Sequence, residues 1–171
     1  MKKSAAISII LAFALTSALP AQLEAQPSAR NTIFFEGLGN AILYTINYDR
    51  MMGDDWSTRI GLMQISVDEI DLDDEGFTQA TVALRLVPIT ANKLKGAGNH
   101  KLELGIGPML ILVSGDIEDT GGIDGAGVGV TGTIGYRYQP ADGGINFRAG
   151  LTPLITPAFL PWGGLSLGYT F

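Results

Sequence analysis

The chain has 171 residues, no cysteine and a formal net charge of −6. That length bounds it to a single domain, and the absence of Cys excludes disulfide frameworks and Cys-ligated metals. The acidic balance argues against nucleic acid as a partner, because binding phosphates needs clustered Lys and Arg.

The first element is a basic start, Met1, Lys2 and Lys3, followed by an apolar stretch from Ala5 to Leu19 and then small residues and Pro20. This is the layout of a secretory signal peptide. Cleavage is expected after Ala25, which leaves one domain over residues 26–171. Removing residues 1–25 takes away Lys2, Lys3 and Glu24, so 9 basic and 16 acidic residues remain, a net charge of −7. Beyond residue 25 no apolar run approaches the ~20 residues that a membrane-spanning helix needs. The longest, Ile106–Val113, contains Gly107 and Pro108.

From there the hydrophobic period is two. After Thr32–Leu38, Ile42, Tyr44, Ile46 and Tyr48 oppose Thr45, Asn47 and Asp49. Ile60 and Leu62 oppose Arg59 and Gly61, and Val82, Leu84 and Leu86 oppose Thr81, Ala83 and Arg85. Leu102, Leu104 and Ile106 oppose Glu103 and Gly105; Val130, Ile134 and Tyr136 oppose Thr131, Thr133 and Arg137; Ile145 and Phe147 oppose Asn146 and Arg148. The last segment alternates Leu165, Leu167, Tyr169 and Phe171 with Gly164, Ser166, Gly168 and Thr170. Eight antiparallel strands of roughly ten residues are predicted, with turns at Gly53–Asp55 and Pro140–Gly144. A longer connection is expected over Pro88–His100.

Alternation alone fits either a soluble sandwich or a membrane barrel, since both have one apolar face. Three features favour the barrel. Roughly ten residues is the length that a tilted strand needs to cross hydrocarbon. The polar face is rich in Gly, Thr, Ser and Asn, which suits the crowded interior of a narrow barrel. Tyr and Phe lie near strand ends, where interfacial girdles of rings belong. The expected fold is therefore an all-β, eight-stranded antiparallel up-and-down transmembrane barrel. Closure removes the unpaired edges that lipid cannot solvate.

The final stretch, with Leu165, Leu167, Tyr169 and Phe171, resembles the terminal strand of Gram-negative outer-membrane β-barrels; Ser166 stands where that signature has Gly. Phe35–Asn40, Tyr44–Arg50, Gly135–Pro140, Phe147–Pro153 and Pro161–Gly164 resemble a group of small outer-membrane barrel proteins of the eight-stranded OmpA- and OmpX-like class. The resemblance implies an outer-membrane location, contact with its lipids and lipopolysaccharide, and recognition of the terminal strand by the barrel-assembly machinery. It transfers no catalytic residue.

Parity assigns Glu36, Asp49, Arg59, Arg85, Glu103, Arg137 and Arg148 to the barrel interior. Charges in a narrow, partly dry space must pair, so a ladder of Arg–carboxylate bridges is expected, with Glu36 and Glu103 as central acceptors. Four Arg against three acids would leave this bore slightly cationic. Two acidic runs, Asp68–Glu75 and Asp116–Asp124, fall in loops expected on the outer side. The spacing of Asp71, Asp73 and Glu75 starts like a calcium loop, but Val82 stands at the closing carboxylate position, so no metal site is assigned. His100, the only histidine, is expected in a periplasmic turn, far from Ser66 and Ser114 at opposite strand ends, which makes a Ser–His pair geometrically implausible. The glycine run Gly121–Gly129 precedes a strand rather than a helix, so it lacks phosphate-cradling geometry. No cofactor is expected, and the chain is not expected to be an enzyme. The functional expectation is a structural or surface-interaction barrel with a filled interior. The alternatives are a narrow pore, a carrier of small apolar ligands, and, less favoured, a lipid-modifying enzyme.

Overall fold

The computed structural model describes residues 29–73, 76–117, 121–155 and 159–171; side chains at 69–80, 116–121 and 123 are not described. The signal-peptide expectation therefore lies outside the described residues. The elements in chain order are β1 (Asn31–Leu38), β2 (Tyr44–Met51), β3 (Trp56–Asp73), β4 (Gly76–Lys95), β5 (His100–Ile117), β6 (Gly121–Tyr138), β7 (Gly144–Leu151), β8 (Leu154–Ile155), β9 (Phe159–Leu160) and β10 (Gly163–Thr170).

These ten elements make eight walls. The strand β8 continues β7, pairing with β6 in the same register, and β9 continues β10 in the same way, pairing with β8 as β10 pairs with β7. The breaks fall at Pro153 and Pro161, where no N–H is available for the ladder. They stay tied to the wall: Thr152 N donates to the Trp162 carbonyl and Gly132 N donates to the Pro153 carbonyl. Every neighbouring pair is antiparallel, and the pairing of β10 with β1 closes the barrel.

The walls are unequal. β1, β2, β7 and β10 are 8 residues long, while β3 to β6 run 18–20. Uniform strands of about ten residues are not what forms; the β3–β4 and β5–β6 hairpins project beyond the others at one end. The opposite end gathers the short turns and both described termini, where Asn31 N donates to the Phe171 carbonyl and Ala29 N to the Ala141 carbonyl. The expected long connection over Pro88–His100 is absent. β4 continues through Pro88 to Lys95, and only residues 96–99 turn. Pro88 faces Met109 on β5, and Ile89 pairs with Ile60 on β3 but with no residue of β5, so the missing N–H is absorbed inside a long strand rather than ending it.

Side-chain burial follows the alternation. Ile33, Phe35, Ile46, Leu62, Leu104, Ile134, Ile145, Leu165, Leu167 and Tyr169 are exposed on the outer surface, whereas Thr32, Thr45, Asn47, Thr133, Asn146 and Thr170 are buried within. This inverts a soluble protein and fits a barrel whose solvent is hydrocarbon. Rings gather at both ends of the belt: Phe35 stacks on Tyr44 at 6.2 Å, and His100 meets Tyr136 and Tyr138 at the other end.

The β1–β2 connection does not reach outward. Gly39, Asn40 and Ala41 form a single helical turn buried inside the barrel. It packs with Met63, Leu86, Met109 and Leu154 into an apolar layer across the interior. Leu38 and Ile42 flank it at φ 60° and 74°, a region that a β-branched residue rarely adopts. Trp162 Nε1 donates to the Ile42 carbonyl at 2.9 Å and pins the turn to the wall.

Candidate functional site in the barrel bore

Below that apolar layer the bore is ionic. Glu36 on β1 points inward from the position before the turn and is reached by three donors: Arg59 Nη2, Thr45 Oγ1 at 3.1 Å, and the backbone N–H of Asn40 at 3.2 Å. Arg59 on β3 also donates from Nε to Asn47 Oδ1 at 2.9 Å. The Asn40 amide, oriented so that both its ends are satisfied, donates to Thr131 Oγ1 and accepts from Arg59 Nη1, each at 2.8 Å. The inward turn and the first ion pair are thus one construction.

A second cluster lies nearer the end with the short turns. Asp49 on β2 accepts from Arg137 Nη2 at 2.7 Å, from Arg148 Nη1 at 3.4 Å and from Ser57 Oγ at 2.9 Å. Glu103 on β5 accepts from Arg137 Nη1 at 3.4 Å and from Arg148 Nη1 at 3.3 Å. Arg137 on β6 is 0% exposed, and its Nε donates to Gln139 Oε1 at 2.6 Å. Phe34 joins the two clusters. Its ring lies under the guanidinium of Arg59 at 4.9 Å and that of Arg148 at 4.0 Å, a contact between cation and ring face that gains strength where water is excluded.

Six of the seven charged residues assigned by parity are brought together here: Glu36, Asp49, Arg59, Glu103, Arg137 and Arg148. Arg85 is not among them. It is half-buried on the outward side of β4, opposite Gln64, whose Oε1 accepts from Arg85 Nε at 2.9 Å. The reason is a shift in what the two faces of β4 carry. Leu86 and Leu84 occupy the inward positions and contribute to the apolar layer, so reading them as lipid-facing reverses the strand. With Arg85 outside, three arginines meet three carboxylates, and the bore is balanced rather than slightly cationic. Glu36 is the carboxylate of the first cluster, and in the second Asp49 rather than Glu103 makes the closest contacts.

Phe34 and Asn40 were missed by residue-type reasoning. Phe34 had a signal, since it shares the parity of Thr32 and Glu36. Asn40 had none, because alternation carries no information about a turn that folds inward. Glu103 Oε2 and Arg148 Nη2 have no protein partner among the described residues; buried polar atoms of this kind are ordinarily satisfied by internal water.

The remaining assigned positions lie elsewhere. Leu165, Leu167 and Tyr169 face outward along β10, and Phe171 follows at its end, also exposed. Asp71 and Asp73 belong to the projecting end of β3, and Glu75 lies outside the described residues. His100 begins β5, and its Nδ1 is 2.7 Å from the Tyr136 hydroxyl, far along the strand from Ser114.

An outward apolar belt, a polar bore and a closed ring of eight antiparallel walls define the fold of the eight-stranded outer-membrane β-barrels. A solved structure shares this fold. The N-terminal β-barrel domain of Pseudomonas aeruginosa OprF is similar with a TM-score of 0.55 at 14% identity, over 86% of this chain and 100% of that one. Ail, the attachment invasion locus protein of Yersinia pestis, is similar with a TM-score of 0.45 at 10% identity, over 82% of this chain and 97% of that one. No family model matches the chain, and no curated protein is significantly similar to it.

Proposed function

We propose that the protein is an integral outer-membrane barrel whose bore is a charge-compensated plug and whose role is structural or interactive at the cell surface, without catalysis. The observation that carries this reading is the filled interior: Phe34, Met63, Met109 and Arg137 are each at most 1% exposed, stacked through the barrel with the paired charges between them. Eight-stranded barrels have room for interlocking side chains and little else. A conducting bore would need a continuous path past these groups. A catalytic site would need a base and a nucleophile within mutual reach near the outer leaflet, and His100 instead bonds to Tyr136 beside the short turns.

Its lipid-facing belt would contact the outer-membrane lipids. Arg85, outward at the level where polar residues begin on β3 and β4, is suited to the phosphates of lipopolysaccharide. The outward Leu165, Leu167, Tyr169 and Phe171 would present the signal read by the assembly machinery.

Cell fractionation followed by electrophoresis with and without boiling tests the placement. The expected result is recovery with the outer membrane and faster migration of the unheated protein. Recovery in a soluble fraction with no mobility shift would overturn it. Planar-bilayer recordings test the plug: neither the wild type nor Glu103→Gln should conduct, and a stable conductance that changes with Glu103→Gln would establish a gate instead.

A further inference from the structure

Positive charge collects at the end of the barrel with the short turns. All three lysines that follow residue 25 fall within residues 93–101, on the hairpin that joins β4 to β5. Arg30 and Arg50 lie at the same end. Five cations therefore meet three carboxylate side chains there, Asp54, Asp55 and Asp142, in a chain that is acidic as a whole. The bore takes none of these five, since its ion pairs use Arg59, Arg137 and Arg148.

Two of the lysines face outward. Lys93 and Lys95 alternate with the buried Asn92 and Leu94 along the last turn-ward stretch of β4. Across the ladder Lys93 stands beside Leu104 and Lys95 beside Leu102, and Leu102 in turn stands beside Tyr136. All three of these neighbours are exposed. On its other side Lys93 pairs with the exposed Trp56, and its Nζ lies 5.0 Å from the centre of that ring. Lys93 also reaches Asp55. Lys95 is exposed and has no protein partner among the described residues. His100, one outward step nearer the turn than Leu102, is held by the Tyr136 hydroxyl at 2.7 Å from its Nδ1.

Each outward lysine thus has an exposed leucine as its cross-strand neighbour, and rings border both. That combination selects an occupant. A free phosphate would use the ammonium groups and leave the leucines bare. An acidic protein segment would meet leucines that, in a bilayer, are already covered by hydrocarbon. A lipid with an anionic headgroup satisfies both parts at once. Lysine stems lie along apolar surface while their charged heads reach the interface, Trp and Tyr settle at headgroup level, and each cation near an anionic surface adds attraction.

We infer that the outward face of the β4–β5 hairpin binds an anionic glycerophospholipid, its phosphate against Lys95 and Lys93 beside the His100–Tyr136 pair and its acyl chains along Leu102 and Leu104. The inference rests on the outer-membrane reading and deepens it, by giving the lipid contact a place and a headgroup charge.

Trp56 reports on the site. The mature barrel is refolded into phosphatidylcholine vesicles that carry a minor fraction of phosphatidylglycerol with brominated acyl chains, which quench nearby tryptophan. The converse vesicles, with only the phosphatidylcholine brominated, give the reference. Trp56→Phe leaves Trp162 as the remaining tryptophan and supplies the background. Quenching should show phosphatidylglycerol preferred about fivefold or more at Trp56, and the preference should shrink in high salt. Lys93→Gln with Lys95→Gln should bring it within twofold of phosphatidylcholine. Lys95→Gln alone, which breaks no contact within the protein, should lower it in part. Arg85→Gln, on the outward side toward the other end of β4, should leave it unchanged. Heat-modifiable migration confirms that each variant has folded. If the barrel inserts but shows no preference, keeps its preference in the double lysine variant, or loses it equally in Arg85→Gln, the lipid site is overturned while the membrane reading stands. Loss of the preference on adding millimolar glycerol phosphate would assign the cations to a soluble anion and overturn the lipid site as well. If the barrel does not enter vesicles at all, the membrane reading itself fails.

Discussion

Asp49 shows how much depends on a single carboxylate in a closed bore. It holds two guanidinium groups and the Ser57 hydroxyl at 0% exposure. Asp49→Asn leaves Arg137 and Arg148 sharing Glu103 alone, an excess of buried positive charge. A loss of about 3–5 kcal/mol is expected, as for other buried pairs deprived of one partner, measured as a lower unfolding midpoint in urea with lipid vesicles. Arg85 is the internal comparison. Its guanidinium is half-buried and bonded to Gln64, so Arg85→Gln should change stability by no more than about 0.5 kcal/mol, while Arg137→Gln should fall in the several-kcal range of Asp49→Asn. Equal effects at the two arginines would mean that Arg85 shares the bore network after all.

At the level of elements, the inward turn between β1 and β2 is the least ordinary feature. Gly39 has φ +78°, and a Cβ there would lie 2.3 Å from the Glu36 carboxyl carbon. Across the wall a Cβ on Gly164 would lie 2.6 Å from the Gly39 Cα, a backbone atom that cannot rotate away. The turn is therefore held against β10 by two glycines, by Asn40 inside and by Trp162 outside. Gly164→Ala should destabilise the barrel by about 1–3 kcal/mol, the usual range for overpacking, read from the same urea titration. Because the turn also positions Glu36 against Arg59, the variant should broaden the side-chain NMR signals of both. A neutral Gly164→Ala would show that the turn can move aside without loss. The long β4 belongs to this scale too. Its Pro88 suggested a connection, yet tertiary pairing on both sides carried the strand past it to Lys95.

For the whole molecule, the solvent around the belt is the point to test. Leu167 lies mid-wall between Phe35 and Phe147 and is 62% exposed. In a bilayer, Leu167→Arg should destabilise by about 2–4 kcal/mol, as a cation does near the midplane; on a water-facing surface the change would be within about 0.5 kcal/mol. Unfolding in vesicles distinguishes the two. Phe171→Ala should lower the amount of barrel assembled in cells while leaving refolding of the purified chain into vesicles unchanged, because it removes an exposed ring and keeps both backbone bonds between Phe171 and Asn31 that extend the pairing of β10 with β1. Slowed refolding of the purified variant would make Phe171 a packing residue rather than a signal.

The strand content, the antiparallel closure and the outward direction of the apolar flank were legible from residue order, because the two faces of a strand alternate with a period that needs no knowledge of its neighbours. The same local rule sorted Glu36, Asp49, Arg59, Glu103, Arg137 and Arg148 to one side of their strands. Three things were decided only in three dimensions. Which carboxylate meets which arginine depends on register and curvature across separations such as the 88 residues between Asp49 and Arg137. The inward fold of Gly39–Ala41 depends on space left free by Gly164 on β10, distant in sequence but the paired neighbour of Leu38 in the ring. The change in what the two faces of β4 carry, which placed Arg85 outside, depends on the apolar layer that Leu84 and Leu86 join across the interior, and a strand's own alternation is blind to which of its faces turns inward.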